Sequence, residues 1–260
     1  MQTSKNNLLF LLICYVTITH RTGGLIYMIS PSERKKIGFS LLTSHSAEMK
    51  KYVDVYALYI EKGYTKDLCE AYADAFIDNA KKPSPFDIVQ LASLYGRIHD
   101  YKSAAFYLEK LEDKKLSGDE KFAYCVETLA TVSKIGNWRD AEDFRTRNIS
   151  FLQKHTAKIT PQKEADMYIA LALADCAAKN YQQALKLLKF GYKPQGAKDL
   201  TLLEIFITVV YIFAKAGDDE GLEGALQNAE GCLRLFKQFD FAWQASYYRR
   251  RIEDAANGIL

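Results

Sequence analysis

From about residue 46 onward, apolar residues recur at three- and four-residue spacing, which is the period of an α-helix. One such series is Tyr52, Val55, Tyr56, Tyr59 and Ile60. No segment alternates apolar and polar residues between turn signals, as a β-hairpin would. The pattern therefore predicts an all-α fold.

Short motifs predict where several helices begin. Ser84-Pro85 and Thr160-Pro161 each place an N-cap residue before a proline at the first helical position. Ser117 and Glu120 have the spacing of a capping box, in which each side chain accepts a hydrogen bond from the other residue's backbone N–H. These signals predict helices that start near residues 85, 118 and 161.

The helices are predicted to occur in pairs, because a long amphipathic segment ends five times at a short turn and a second helical segment follows. The turns are Lys62-Gly63-Tyr64, Ile98-His99-Asp100-Tyr101, Ile135-Gly136-Asn137-Trp138, Lys179-Asn180-Tyr181 and Ala216-Gly217-Asp218. Counted from Gly63, His99, Gly136, Lys179 and Gly217, the spacings are 36, 37, 43 and 38 residues. A period in this range is typical of a helical-repeat solenoid.

One of these units resembles a tetratricopeptide repeat (TPR). The segment 91–111 reads LASLYGRIHDYKSAAFYLEKL. Leu91, Ala92 and Tyr95 match the first helix of that family's unit, and Ala104 matches the alanine at which the two helices touch. The resemblance extends over residues 46–236, with units longer than the family's roughly 34 residues.

Several positions depart from the family pattern. Leu68 and Leu222 replace the contact alanine, Arg145 stands where an aromatic residue is expected, and Asp175 occupies the tyrosine position. The resemblance nevertheless implies a right-handed α-solenoid of about five antiparallel helical hairpins. We expect a capping helix over residues 239–257, with its aromatic residues covering the last hairpin.

This interpretation divides the chain into an N-terminal tail, residues 1–45, and a TPR-like solenoid, residues 46–260. The run from Leu8 to Ile18 is apolar but shorter than the roughly 20 residues of a membrane-spanning helix. It is similar to the apolar part of a signal peptide, whereas Met28 is an alternative start. We predict a cytoplasmic protein, with export or membrane anchoring through residues 8–18 as the alternative.

Composition disfavours several function classes. The net charge is +3, with 35 basic and 32 acidic residues, so no one-sided basic surface for nucleic acid is expected. The 5 cysteines are widely spaced and the 4 histidines are isolated, which argues against a disulfide framework and a metal site. We predict no catalysis, no cofactor and no metal.

The resemblance implies that the first helix of each pair lines a concave groove, and it identifies a mostly apolar set of groove positions. These are Val53, Ala57, Phe86, Val89, Ser93, Val126, Ala130, Ile169, Leu173, Ile207 and Tyr211. Such a groove suits an amphipathic helix or an extended peptide. The alternative is that some of these residues belong to the core, or that the chain's own N-terminal segment covers them.

The family's carboxylate clamp needs lysine, asparagine and arginine in that groove, but residues such as Val89, Gln90 and Ser93 stand there, so binding of chaperone tails is not expected. The resulting hypothesis is a protein- or peptide-binding scaffold. A peptide-sensing regulatory module and an exported assembly protein of the cell envelope are the alternatives.

Overall fold

The computed structural model describes residues 66, 84–156, 159–192, 200–235 and 244–260. Within these residues the chain forms nine helices and no strand, which confirms the all-α prediction. They are α1 (Pro85–Arg97), α2 (Tyr101–Glu109), α3 (Gly118–Ile135), α4 (Trp138–His155), α5 (Pro161–Ala177), α6 (Tyr181–Gly191), α7 (Leu200–Ala216), α8 (Asp219–Leu235) and α9 (Gln244–Ala256). The first predicted hairpin, with Val53 and Ala57, lies outside the described residues.

The chain divides into two units, residues 1–83 with 238–244 and residues 84–237 with 245–260. Every contact discussed below lies within the second unit. Its large, fully buried side chains include Leu91, Leu129, Leu152, Leu203 and Ile207.

The predicted helix starts are confirmed. Ser84 accepts a hydrogen bond from the backbone N–H of Asp87 at 3.2 Å, and the Asp87 carboxylate accepts one from the Ser84 N–H at 3.0 Å. Ser117 and Glu120 form the same reciprocal box at the start of α3. Thr160 caps α5, where Pro161 is the first helical residue. Local sequence thus determines these boundaries.

Four turns between helices share one backbone feature. The residues with positive φ are His99 (62°), Gly136 (87°), Lys179 (62°) and Gly217 (67°), one in each turn. The next residue in each turn is an aspartate or asparagine, and three of these four side chains accept a hydrogen bond from a backbone N–H of the helix that follows. Each turn therefore combines a left-handed residue that ends one helix with a residue type that favours the start of the next.

The odd-numbered helices α1, α3, α5 and α7 pack in a row, each against the next. Among the even-numbered helices, α2, α4 and α6 each pack against the odd-numbered helix before and the one after, and α8 packs against α7. The predicted contact alanine Ala104 has no exposed surface, and neither do Ala141 and Ala184, which lie at the same distance after their turns. A larger side chain at these points would push the paired helices apart.

Helix α9 packs differently from the other eight described helices. Of the predicted capping segment, residues 244–256 are helical and 239–243 lie outside the described residues. We expected this helix to cover the last hairpin, but its contacts extend to the other end of the described row. Tyr247 reaches Arg97 of α1, and Asp254 reaches His99 in the following turn. These contacts run through long side chains and not through close backbone packing.

Candidate functional site beneath helix α9

Five charged residues of the odd-numbered helices lie close enough to affect one another's ionisation. They are Arg97 on α1, Glu127 and Lys134 on α3, Asp166 on α5 and Glu204 on α7. We call this set the charged face. Arg97 and Glu204, which come from opposite ends of the row, approach to 3.9 Å. The row therefore brings residues from four helices to one side of the molecule.

Arg251 of α9 completes this arrangement. One guanidinium nitrogen of Arg251 lies 2.5 Å from both carboxylate oxygens of Glu204. The Arg251 side chain is 14% exposed and that of Glu204 is 19% exposed. A charge-assisted contact so shielded from water is stronger than a surface ion pair. It joins α9 to the charged face.

Further polar contacts hold α9 near the start of the row. Arg97 donates a hydrogen bond to the Tyr247 hydroxyl at 3.4 Å. The Tyr101 hydroxyl donates to the backbone carbonyl of Leu260. His99 Nε2 lies 3.4 Å from an Asp254 carboxylate oxygen. The segment from α9 to residue 260 is therefore bound across the row by hydrogen bonds and charge.

Burial and neighbouring charges shift the pKa values of the charged face. Burial alone raises the pKa of Glu204, but Arg251 and Arg97 together lower it below its ordinary value. Burial and, to a smaller extent, Arg251 lower the pKa of Lys134 to about 8, against the opposing effect of Glu127. Burial raises the pKa of Asp166 to about 6. Ionised Glu204 is thus favoured, whereas the charged forms of Lys134 and Asp166 cost free energy.

The predicted groove residues fall into three groups. Leu173, Ile207 and Tyr211 are buried, Phe86 is 41% exposed, and Val89, Ser93, Val126, Ala130 and Ile169 are partly exposed. Val53 and Ala57 lie outside the described residues. The Ser93 side chain acts to lower the pKa of Glu127, against the larger effect of burial, so this set adjoins the charged face.

Sequence reasoning missed the charged face, although a signal for it was present. Arg97 lies four residues after Ser93, and Lys134 lies four residues after Ala130. Glu127, Asp166 and Glu204 each lie three residues before a predicted groove position. Residues at these spacings share one side of a helix. Following the predicted groove positions one helical turn further along each helix would have revealed these charged residues.

A second buried ion pair lies elsewhere. Arg145 of α4 donates a 2.6 Å hydrogen bond to Asp175 of α5, whose side chain is only 4% exposed. These are the two residues at which the family pattern expects an aromatic residue and a tyrosine. The two departures are therefore complementary, since each supplies the charge that the other needs.

A cavity of about 240 Å³ lies between α2, α3 and α4. Glu109, Glu112, Asp140 and Asp143 line it, and Arg147 on the same rim offsets part of their charge. It is separate from the residues of the charged face.

The described residues hold no group of three or more histidine, cysteine or carboxylate side chains placed to bind a metal. Cys125, Cys176 and Cys232 are buried free thiols, and burial raises the pKa of Cys125 and of Cys176 to about 11. These two thiols are therefore poor nucleophiles at neutral pH. No helix among the described residues is both long enough and apolar enough to cross a membrane.

The described helices define an all-α protein. Comparison with protein-family models, curated protein sequences and solved structures found no match to this chain. We therefore infer the function of the protein from the geometry of the charged face and from its contacts with α9.

Proposed function

We propose that this protein is a non-catalytic scaffold of TPR-like helical repeats that binds a protein or peptide, and that the charged face is its ligand site. One observation carries the proposal: this face already receives a helix, α9, through Arg251 and Glu204. A surface that accommodates a helix of its own chain has the shape and polar partners to accommodate a similar one from another protein.

Two further features support this function. The row formed by α1, α3, α5 and α7, with paired helices behind it, is the packing that a solenoid requires. The shared left-handed turn residues, at His99, Gly136, Lys179 and Gly217, follow the repeat spacing seen in the sequence. We place the protein in the cytoplasm, where the buried free thiols of Cys125, Cys176 and Cys232 would stay reduced.

Site-specific photo-crosslinking tests the proposal. A photoreactive amino acid at Val89 or Val126, both beside the charged face, should capture a defined partner in cells of the native host. Glu142 and Gln183, exposed on α4 and α6, provide control positions. Equal labelling at all four positions, or no product at the first two, would contradict a ligand site on this face.

A further inference from the structure

We propose that the charged face selects a helix that presents an arginine next to aromatic residues, with Glu204 as the specificity-determining residue and α9 as the chain's own competitor. This inference rests on the proposed function, since it names the kind of partner that the same site would bind.

The first argument concerns the hydrogen bonds of Glu204. Among the described residues, Arg251 alone donates hydrogen bonds to this carboxylate. Arg97 is 3.9 Å away and donates instead to Tyr247 of α9. Removal of α9 would take these charge-assisted hydrogen bonds from Glu204 and leave Arg97, at 3.9 Å, as an ion-pair partner. The vacated face would therefore favour another helix that restores a guanidinium at this point.

The second argument concerns the choice of arginine. The Arg251 guanidinium carbon lies 5.7 Å from the centre of the Tyr247 ring and 6.0 Å from that of Tyr248. A planar guanidinium can contact aromatic rings and a carboxylate at the same time, whereas a lysine ammonium is a compact, strongly hydrated charge. Lysine at this position would keep the charge but lose much of the binding.

The third argument concerns the pattern on α9. Tyr248, Ile252 and Ala255 are buried and recur at the spacing of one helical stripe, with Arg251 beside them. The partner that fits is accordingly an amphipathic helix with an aromatic pair, then an arginine and an aliphatic residue one turn later. The contacts of α9 with Glu204, Arg97 and His99 are made by side chains, so such a helix could exchange with it at these points.

The experiment uses the full chain and a fluorescent peptide with the sequence of residues 244–260 as probe. In the wild-type chain the attached α9 competes with the peptide. The Arg251→Gln chain has a weakened α9 and an intact Glu204, so it should bind the peptide roughly tenfold more tightly than the wild type does. Glu204→Gln combined with Arg251→Gln should remove that gain. Arg249→Gln, on the exposed side of α9, is the matched control and should bind as the wild type does.

A peptide with lysine at position 251 should bind the Arg251→Gln chain roughly tenfold more weakly than the native peptide. Equal affinity of the wild-type and Arg251→Gln chains for the native peptide would overturn the inference. So would unchanged binding by the double variant or equal affinity for the lysine peptide.

A second measurement keeps the inference testable if a variant folds poorly. Hydrogen exchange should show lost protection over residues 244–260 in Glu204→Gln and in Arg251→Gln, and the double variant should lose no more than either single variant. Additive losses in the double variant, with the remaining helices still protected, would contradict a specific contact between these two residues.

The two proposals fail in different ways. If the peptide binds as described but crosslinking in cells captures no partner, the preference for an arginine-bearing helix stands and the scaffold function fails. If crosslinking captures a partner while the peptide experiments fail, the scaffold function stands and the arginine selectivity is wrong.

Discussion

The molecule contains two buried ion pairs that are chemically alike and structurally different. Arg145 and Asp175 join α4 and α5, which are consecutive in the chain and pack against each other. Arg251 and Glu204 join α9 and α7, 47 residues apart, without close packing of the two backbones. The first pair is surrounded by helices that hold its partners in place. The second pair joins two helices whose backbones do not pack closely, which is why we propose that its arginine can be exchanged for that of another helix.

The comparison also concerns two positions, 145 and 175, at which the sequence departs from the tetratricopeptide pattern that it resembles. In the first described hairpin, Tyr95 stacks on Tyr107 with ring centres 5.6 Å apart. In the later unit the position of Tyr95 is taken by Asp175, which would be an unpaired buried carboxylate without Arg145. The two charged residues therefore meet in the folded chain although they lie 30 residues apart.

The largest predicted effect comes from breaking the pair that is fixed between packed helices. Arg145→Met leaves Asp175 buried without its partner and should lower the free energy of unfolding by about 3 kcal/mol. Urea denaturation measures this loss. The double variant Arg145→Met with Asp175→Leu should recover most of it, because no buried charge remains.

Arg147→Met is the matched control, since Arg147 is exposed on the same helix and should change stability by less than about 0.5 kcal/mol. A loss in Arg145→Met no larger than in this control would show that Asp175 does not depend on the pair.

A smaller and more local effect is expected at the second pair. Glu204→Gln removes the charge that Arg251 contacts and should reduce stability by about 2 kcal/mol. Hydrogen exchange should show the loss confined to residues 244–260, whereas Arg145→Met should lower protection throughout the row. If Glu204→Gln weakened α1 to α8 equally, α9 would be an integral part of the core and not an exchangeable helix.

The charged face should also make stability depend on pH. Burial raises the pKa of Asp166 from 3.8 to about 6, so the folded chain binds this proton more tightly than the unfolded chain does. Its contribution therefore favours folding at low pH and is lost as pH rises from about 4 to 6. As pH rises across this range, the free energy of unfolding of Asp166→Asn should increase relative to that of the wild type by on the order of 1 kcal/mol. Urea denaturation at each pH measures this difference.

Glu164→Gln, also on α5, is the control and should run parallel to the wild type over the same pH range. A wild-type minus Asp166→Asn difference that stays flat would show that Asp166 is already ionised in the folded chain at pH 4.

The smallest effect concerns the turns between helices. Lys179 has a φ of 62°, where a side chain is strained, so Lys179→Gly should stabilise the protein by about 1 kcal/mol. The same replacement inside α6, Lys186→Gly, should destabilise by about 1 kcal/mol, because glycine is a poor helix former. Thermal unfolding of the two variants should therefore shift in opposite directions, and shifts of equal sign would contradict the role of this turn.

Local signals allowed much of the fold to be predicted. The boxes at Ser84 and Ser117 and the cap at Thr160 depend on residues within one helical turn, so they appear in the sequence as short motifs. The candidate site was harder to predict. The predicted groove positions included Ser93 and Ala130 but ended one turn short of Arg97 and Lys134, because charged side chains normally face water and their burial here depends on helices far away in the chain.

The sequence by itself determined the helical class, the helix starts and the positions of the turns at His99, Gly136, Lys179 and Gly217, because these depend on neighbouring residues. Tertiary structure decided that Arg145 meets Asp175 and that Arg251 meets Glu204. Such pairs depend on how helices far apart in the chain pack. The sequence alone allows many alternative pairings of its charged residues. Burial then gives each contact its strength, since a carboxylate removed from water needs its partner far more than an exposed one does.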